Sequence, residues 1–431
     1  MKLVVDWVST RFAPRMNALT RNAWVSAIQE SILRVVPFIL VGSFVTLLAI
    51  IPGLSDAVPT IWKLSDFTFG MISLFMAVLI PYFILEKKRH PEFSQIAALA
   101  SVALYIMLLK PATLDNGAVS FTFARFGAQG MLVAITGGLF VGAVMNAFAR
   151  WDIFKNNTTL PGFVTTWFQS LLPILIVIAT GWLLTFVLEF DSFAAIVAVF
   201  SPLLTGGQSF IGFVLVCFIS AFFYSFGISS WALAPVFYPI WLAGIQQNSQ
   251  LVAAGRQAVN INTYEVVFSG FIAFGGIGAT LMLVVMMSFM ARSTRLKAIG
   301  RAGAVPSLFN INEPIVFGAP IAFNPILMVP FWLNSIVLSS LTYIALRTGL
   351  AQIPSRVFSL WYMPFPISTY LVSGLAGVGL ALVLMAVSFA IWFPFFRVYD
   401  AQEVRVEQED LAAEQGGVTA VSPVSPKARA R

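Results

Sequence analysis

Between Phe309 and Phe331 the chain reads FNINEPIVFGAPIAFNPILMVPF, an apolar run that holds one carboxylate, Glu313, with Asn310, Asn312 and Asn324 around it. A carboxylate at membrane depth is expensive unless it is protonated, paired or wet, so such a residue points first to a functional site. Satisfying loose backbone N–H groups beside Pro314 is the structural alternative, and it stays open at this point. Within reach of a hydroxyl, a carboxylate is a general base. The asparagines add donors and acceptors of the kind that bind a solute with many hydroxyls. The other acidic residues have simpler explanations: Glu30 starts a span, Glu86 and Glu92 bracket a basic loop, Glu189 and Asp191 mark a span end, and Glu265 opens a span.

The elements that must position Glu313 are constrained by Pro306, Pro314, Pro320, Pro325 and Pro330. Proline cannot donate to a helix ladder and disfavours helix in the residue before it, so no continuous spanning helix fits here. A re-entrant hairpin does, and non-helical backbone at membrane depth is tolerated where it is buried in protein or lines a wet cavity. A second polar break, SFGISS, carries Ser229 and Ser230, and the stretch Phe223–Trp241 around it is expected to approach the same cavity as Glu313. GGIGATL (Gly275–Leu281) and GLAGVGLAL (Gly374–Leu382) lie within expected spans, where small residues most often permit close helix packing.

The whole chain sets the context: 431 residues, 59% hydrophobic and 10% charged, which marks a membrane protein with no room for a sizeable soluble domain. Spans are expected at about 28–51, 67–85, 94–110, 127–149, 170–190, 209–226, 230–245, 266–290, 333–348 and 370–396, about ten in all. The stretch SFAAIVAVFSPLLTGGQS is too short and broken to count as another. The net charge of +7 follows positive-inside bias, with Lys87, Lys88, Arg89 and Arg292, Arg295, Lys297, Arg301 each just after a span, so it is no nucleic-acid patch. This places both termini in the cytoplasm. Residues 1–25 read as a retained cytoplasmic amphipathic segment, and 401–431 as a disordered cytoplasmic tail. The single cysteine, Cys217, excludes an intrachain disulfide and a cysteine metal cluster, and no metal or other cofactor is expected. The only histidine, His90, is a solvated loop residue.

The segment LFNINEPIVFGAPIAFNPILMVPF resembles the signature of the membrane-embedded IIC component of the bacterial phosphoenolpyruvate-dependent sugar phosphotransferase system, in its lactose/cellobiose/diacetylchitobiose family. The likeness extends through AIQESILRVVPFILVGS (Ala27–Ser43), FGAQGMLVAI (Phe126–Ile135), LPGFVTTWFQSLLP (Leu160–Pro173), GGIGATL, RLKAIGRAGAVPSLFN and WFPFFRVYD (Trp392–Asp400). It implies an all-α polytopic fold in the cytoplasmic (inner) membrane, with a dimerisation half (26–160) followed by a sugar-transport half (161–400) that holds re-entrant hairpins. It implies a homodimer through the N-terminal spans, where Gly42, Gly137, Gly138 and Gly142 favour close packing. It also implies a sugar substrate, probed by Asn310, Asn312, Gly275 and Gly276, with Glu313 beside the hydroxyl that becomes phosphorylated. The phosphoryl group would come from a separate IIB protein, itself charged by IIA.

Two stretches depart from the family pattern. The family has Gly-Ile-His-Gly in the first hairpin, its histidine contacting the sugar; here Gly227 and Ile228 are followed by Ser229 and Ser230, which hydrogen-bond but carry no charge. MPFPIS (Met363–Ser368) falls where members often have a tryptophan after the proline, leaving Phe365 to stack on a sugar face. Two function classes fit these residues: a IIC permease importing a disaccharide or related glycoside with coupled phosphorylation, or a facilitator of the same fold that moves sugar without phosphorylating it.

Overall fold

The computed structural model describes residues 18, 22–48, 61–151, 162–319 and 321–415. Most of the expected segment 1–25 and the end of the expected tail, from 416 on, lie outside the described residues. Helices dominate because in an apolar medium each segment has to satisfy its own backbone N–H and C=O groups. In chain order they are α1 (Ala23–Leu48), α2 (Ile72–Lys87), α3 (Ser94–Leu108), α4 (Met131–Arg150), α5 (Gly162–Trp182), α6 (Ser192–Gln208), α7 (Phe210–Ser225), α8 (Ala234–Ala253), α9 (Leu281–Met290), α10 (Thr294–Leu308), α11 (Glu313–Gly318), α12 (Pro325–Arg347) and α13 (Ile367–Gln415). A two-stranded hairpin, β1 (Ala112–Thr113) against β2 (Val119–Ser120), caps α3.

This is a multi-pass membrane protein. Among the described residues seven helices are long and apolar enough to cross a membrane, and eight if α6 and α7, bent by 84° at Ser209, form one crossing. The stretch SFAAIVAVFSPLLTGGQS is therefore half of a broken pair. The other two expected spans are not single apolar helices of spanning length. The one at 230–245 is α8, which continues into Gln246, Gln247, Asn248 and Gln250. The one at 266–290 divides into a π-helical turn (Glu265–Phe271), an irregular stretch and the ten-residue α9.

Two glycine-rich stretches behave differently from the packing role expected of them. Gly275, Gly276 and Gly278 take positive φ (76°, 95° and 80°), so GGIGATL breaks a span instead of running through it. Gly374 (φ 67°, ψ −165°) breaks α13 near its start, and a Cβ there would meet nothing within 4 Å.

In the N-terminal half, α2 packs against α1, α3 and α4. Gly138 and Gly142 admit Ile80 and Ile84 of α2, since an added Cβ would lie 2.9 and 2.6 Å from those side chains, and Gly42 receives Phe69 at 3.3 Å. The close approach these glycines allow is thus used within the chain. Arg125, ahead of α4, donates to both carboxylate oxygens of Asp191 (2.8 and 3.2 Å) and to the Leu109 carbonyl at 3.0 Å. Asp191 in turn accepts from the Ala194 N–H at 2.9 Å and caps α6.

α13 does not stop at 400. It runs to Gln415, so the first part of the stretch expected to be disordered is helical. The cause is a row of carboxylates on one face of the helix. Asp400 accepts from the Arg292 and Ser293 N–H groups (both 2.9 Å), Glu407 from those of Thr294 and Arg295 (3.1 and 2.8 Å), and Glu403 pairs with Arg295 at 3.2 Å. Together they hold the start of α10, where unpaired helix N–H groups favour negative charge.

Two of these packing features can be tested by substitution. Burial alone would raise the Asp191 carboxyl, but hydrogen bonds from Arg125 and the Ala194 N–H, with the Arg125 charge, hold it below the usual carboxylate range. Its contribution is therefore full above the ordinary carboxylate pKa and is lost as pH falls through the lowered folded value. Asp191→Ala is expected to cost about 1.5–3 kcal/mol near neutral pH, with the gap to wild type closing in acid, as read by thermal unfolding in detergent. At Gly300 of α10 a Cβ would sit 2.7 Å from the Ser288 backbone nitrogen, which no side-chain rotation relieves. Gly300→Ala is expected to destabilise by about 1–3 kcal/mol in the same assay.

Candidate functional site

The proline-rich run forms three pieces: the end of α10, the short α11, and the start of α12. Pro314 and Pro325 each sit in the first turn of a helix, where a missing N–H costs nothing, preceded by Asn312 and Asn324 at the N-cap positions. Asn324 caps α12, its side chain accepting from the Ile326 N–H at 3.0 Å, and it does not line the cavity at Glu313.

Asn310 takes a left-handed conformation (φ 62°) that asparagine tolerates better than most residues. Its amide ties three segments together: Oδ1 accepts from the Gly275 N–H at 2.9 Å, and Nδ2 donates to the carbonyls of Trp361 (2.6 Å) and Met363 (3.1 Å). Asn312 does the same on a smaller scale, donating to the Ile277 carbonyl at 2.8 Å and accepting from the Tyr224 hydroxyl at 3.4 Å. A side chain on Gly276 would sit 2.4 Å from the Asn312 amide, and one on Gly275 2.3 Å from the Leu281 backbone nitrogen, so both positions demand glycine.

These segments close around a cleft with a cavity volume of about 130 Å³. Glu313, Asn310, Asn312, Ser229 and Gly276 all line it. Glu313, the first residue of α11, is exposed to this space and forms no ion pair among the described residues; the Tyr224 phenol lies against it. Ser229 reaches the cleft from the segment between α7 and α8, after Gly227 with its positive φ of 73°. The two polar breaks in the sequence thus meet at one cavity.

Two candidates stand elsewhere. Gly275 lies behind the wall, with its N–H on Asn310. Phe365 is buried against Phe274, ring centroids 5.8 Å apart, and does not line the cleft, so the place expected of it is taken by Trp361. The side chain of Ser230 lies outside the described residues.

Sequence reasoning passed over the aromatic wall. Trp231, Ala234, Tyr238 and Trp241 all face the cleft, and their spacing of three, four and three residues is that of one helical face. Tyr264 and Phe268, stacked at 4.7 Å, continue this wall, and Trp361 lines the cleft as well. The signal was present in WALAPVFYPIW, but in a chain so rich in aromatics it is masked by ordinary lipid-facing and core positions. Aromatic faces beside a few converging polar groups suit a ligand that is apolar on its ring faces and polar at its edges.

Comparison with known proteins agrees with this geometry. The family profile "Phosphotransferase system, EIIC" matches residues 30–335. The chain is 31% identical to a putative permease IIC component, YwbA, of Bacillus subtilis (strain 168), covering 94% of this chain and 97% of that protein. It is 29% identical to a cellobiose-specific EIIC component of Geobacillus stearothermophilus, over 96% and 98% of the two chains. The crystal structure of ChbC, the IIC component of an N,N'-diacetylchitobiose-specific phosphotransferase system, superposes with a TM-score of 0.81 at 29% identity, covering 95% of this chain and 99% of that one. Shared sequence along nearly the whole length, the same fold, and a cavity built around the Asn-Glu-Pro segment lead to one conclusion: this chain belongs to the EIIC family of sugar phosphotransferase permeases, homologous to its lactose-, cellobiose- and diacetylchitobiose-specific members.

Proposed function

We propose that the protein imports a disaccharide or related glycoside through this cleft and that Glu313 serves the phosphorylation of the bound sugar. The observation that carries the reading is a carboxylate with no ion pair among the described residues, lining an aromatic-walled cavity in a membrane protein. Aromatic side chains stack on sugar ring faces, while Ser229, Asn312 and Glu313 offer polar contacts to the hydroxyl groups. Cellobiose and diacetylchitobiose, named for two relatives, set the size class.

In the reaction, the oxygen of a sugar hydroxyl forms a bond to phosphorus as the S–P bond of the phosphocysteine on a separate IIB protein breaks. The electron pair leaves on sulfur, and the hydroxyl proton passes to the Glu313 carboxylate. The charged product cannot recross the bilayer, which couples transport to chemistry. The protein sits in the cytoplasmic membrane with both termini on the cytoplasmic side, the side from which IIB approaches. It acts as a homodimer through its N-terminal half.

A second reading rests on Ser229. It lines the cavity at the position where the family carries a histidine, and serine neither bears positive charge nor moves a proton near neutral pH. A facilitator that releases sugar unphosphorylated fits that substitution.

One pair of variants separates the readings. In a coupled permease, Glu313→Gln is expected to retain sugar binding and lose about a hundredfold to ten-thousandfold in phosphorylation-coupled uptake. In a facilitator the same variant leaves downhill flux close to wild type, and Ser229→His is the change that introduces phosphorylation. Labelled-sugar uptake, with and without the general phosphotransferase proteins, reads both; wild-type phosphorylation by Glu313→Gln removes the catalytic role. The dimer is checked separately: light scattering of the detergent-solubilised protein is expected to give two copies per particle, and a monomer across a wide concentration range overturns it.

A further inference from the structure

The sequence offers Glu265 as a span-opening residue of no special role, yet its side chain is 0% exposed. Oε1 accepts from the Phe358 N–H at 3.0 Å, while Oε2 is buried with no hydrogen-bond partner. Ser269, on the same π-helical turn, donates to the Phe358 carbonyl at 2.9 Å, so the turn grips both backbone groups of that residue. The next residue, Ser359, donates its N–H to Ser43 Oγ of α1 at 2.8 Å. Trp361, which lines the cleft, comes two residues later, its carbonyl bound by Asn310. On the other side, Tyr264 is the immediate neighbour of Glu265 and lines the cleft as well. Glu265 therefore stands behind two walls of the cavity at once.

The groups around this carboxyl are neutral. Its own turn contributes the Thr263 hydroxyl and the Tyr264 phenol, with Tyr238 bonded to the latter. Of the helices packed on the turn, α12 has Tyr343 directed to the Gln208 carbonyl (3.4 Å) and Arg347 exposed at its end, while α13 brings Thr369, donating to the Gly270 carbonyl, and a half-exposed Tyr370. Among the described residues Glu265 forms no ion pair, and the nearest cation along the 356–363 loop, Arg356, is exposed. A buried carboxylate whose partners are only neutral hydroxyl and backbone N–H groups, with no ion pair among the described residues, is costlier to keep ionised than to keep as the neutral acid.

We propose that Glu265 is a proton-binding positioning residue of the cavity: it carries its proton on Oε2 and, as the neutral acid, holds Phe358 so that Trp361 and Tyr264 keep their places around the bound sugar. Sugar binding is then linked to occupancy of this proton site. The linkage rests on the sugar reading of the cleft; the protonation itself does not.

The test uses the full chain in detergent, with infrared difference spectra, intrinsic tryptophan emission and binding of cellobiose and N,N'-diacetylchitobiose across a pH series. At neutral pH the wild type is expected to show a carboxylic-acid C=O band that Glu265→Gln removes and Glu313→Gln leaves. Wild-type affinity is expected to fall about tenfold per pH unit once Glu265 ionises, whereas Glu265→Gln, neutral and of the same shape, stays within about twofold of the low-pH affinity throughout. Glu265→Ala is expected to weaken binding. Three results overturn the proposal: no band lost in Glu265→Gln, the same pH profile in wild type and Glu265→Gln, or Glu265→Gln binding as poorly as Glu265→Ala. If the wild type binds neither sugar, the reading of the cleft is what has failed. The band still decides the protonation, and a pH-dependent emission that Trp361→Phe and Glu265→Gln each abolish still decides the clamp.

Discussion

Everything in the C-terminal half depends on one requirement: a broken helix inside an apolar medium frees backbone N–H and C=O groups that have to find partners. Side-chain amides supply them. Asn248 accepts from the N–H groups of Val259 and Asn260 and donates to the carbonyls of Asn260 and Pro354. Gln208, at the bend between α6 and α7, exchanges bonds with the backbone of Asn262 in the segment after α8, and Asn262 also donates to the Gly207 carbonyl. Asn310 and Asn312 serve the 275–277 and 361–363 segments. An amide suits this duty because it donates and accepts from one rigid plane without bringing a charge that would itself need neutralising. The cavity is the space that these stitched breaks leave between them.

The same requirement explains which parts were legible in the sequence. Prolines spaced through an apolar run, with Asn312 and Asn324 just ahead of Pro314 and Pro325, announce helix starts, and the structure places starts there. Glu313 and Ser229 were legible as polar residues in apolar surroundings, and they share one cavity. Partner identity was not legible. The asparagines that looked like sugar contacts are also backbone anchors, because a side-chain amide cannot reveal from sequence which of several distant carbonyls it will meet. Glu265 was hidden for a related reason: it lies at the edge of an apolar run, where exposed carboxylates are common, and only the fold shows Phe358 covering it. The small-residue stretch Gly275–Leu281 was ambiguous because glycine serves close packing and positive φ alike; here positive φ prevails.

Membership of a permease family and an altered site are compatible. Fold and cavity rest on residues distributed over the whole chain, so they survive replacement of one sugar-facing side chain. Chemistry is concentrated in a few positions and is more sensitive. Glu313 and its asparagine frame share the cleft with Ser229 and with Trp361, three residues before Pro364.

The grip of Asp400, Glu403 and Glu407 on the start of α10 has a consequence for how the gene can vary. The three carboxylates lie three and four residues apart, so they share one face only while the helix between them keeps its phase. Each inserted or deleted residue turns the rest of the helix by about 100°. Substitutions on the opposite face of this stretch are therefore neutral in geometry, whereas a change of length between Asp400 and Glu407 swings one carboxylate away from the backbone it holds. A stretch that looks compositionally like expendable tail is therefore expected to vary freely on the face away from the three carboxylates and hardly at all in its length.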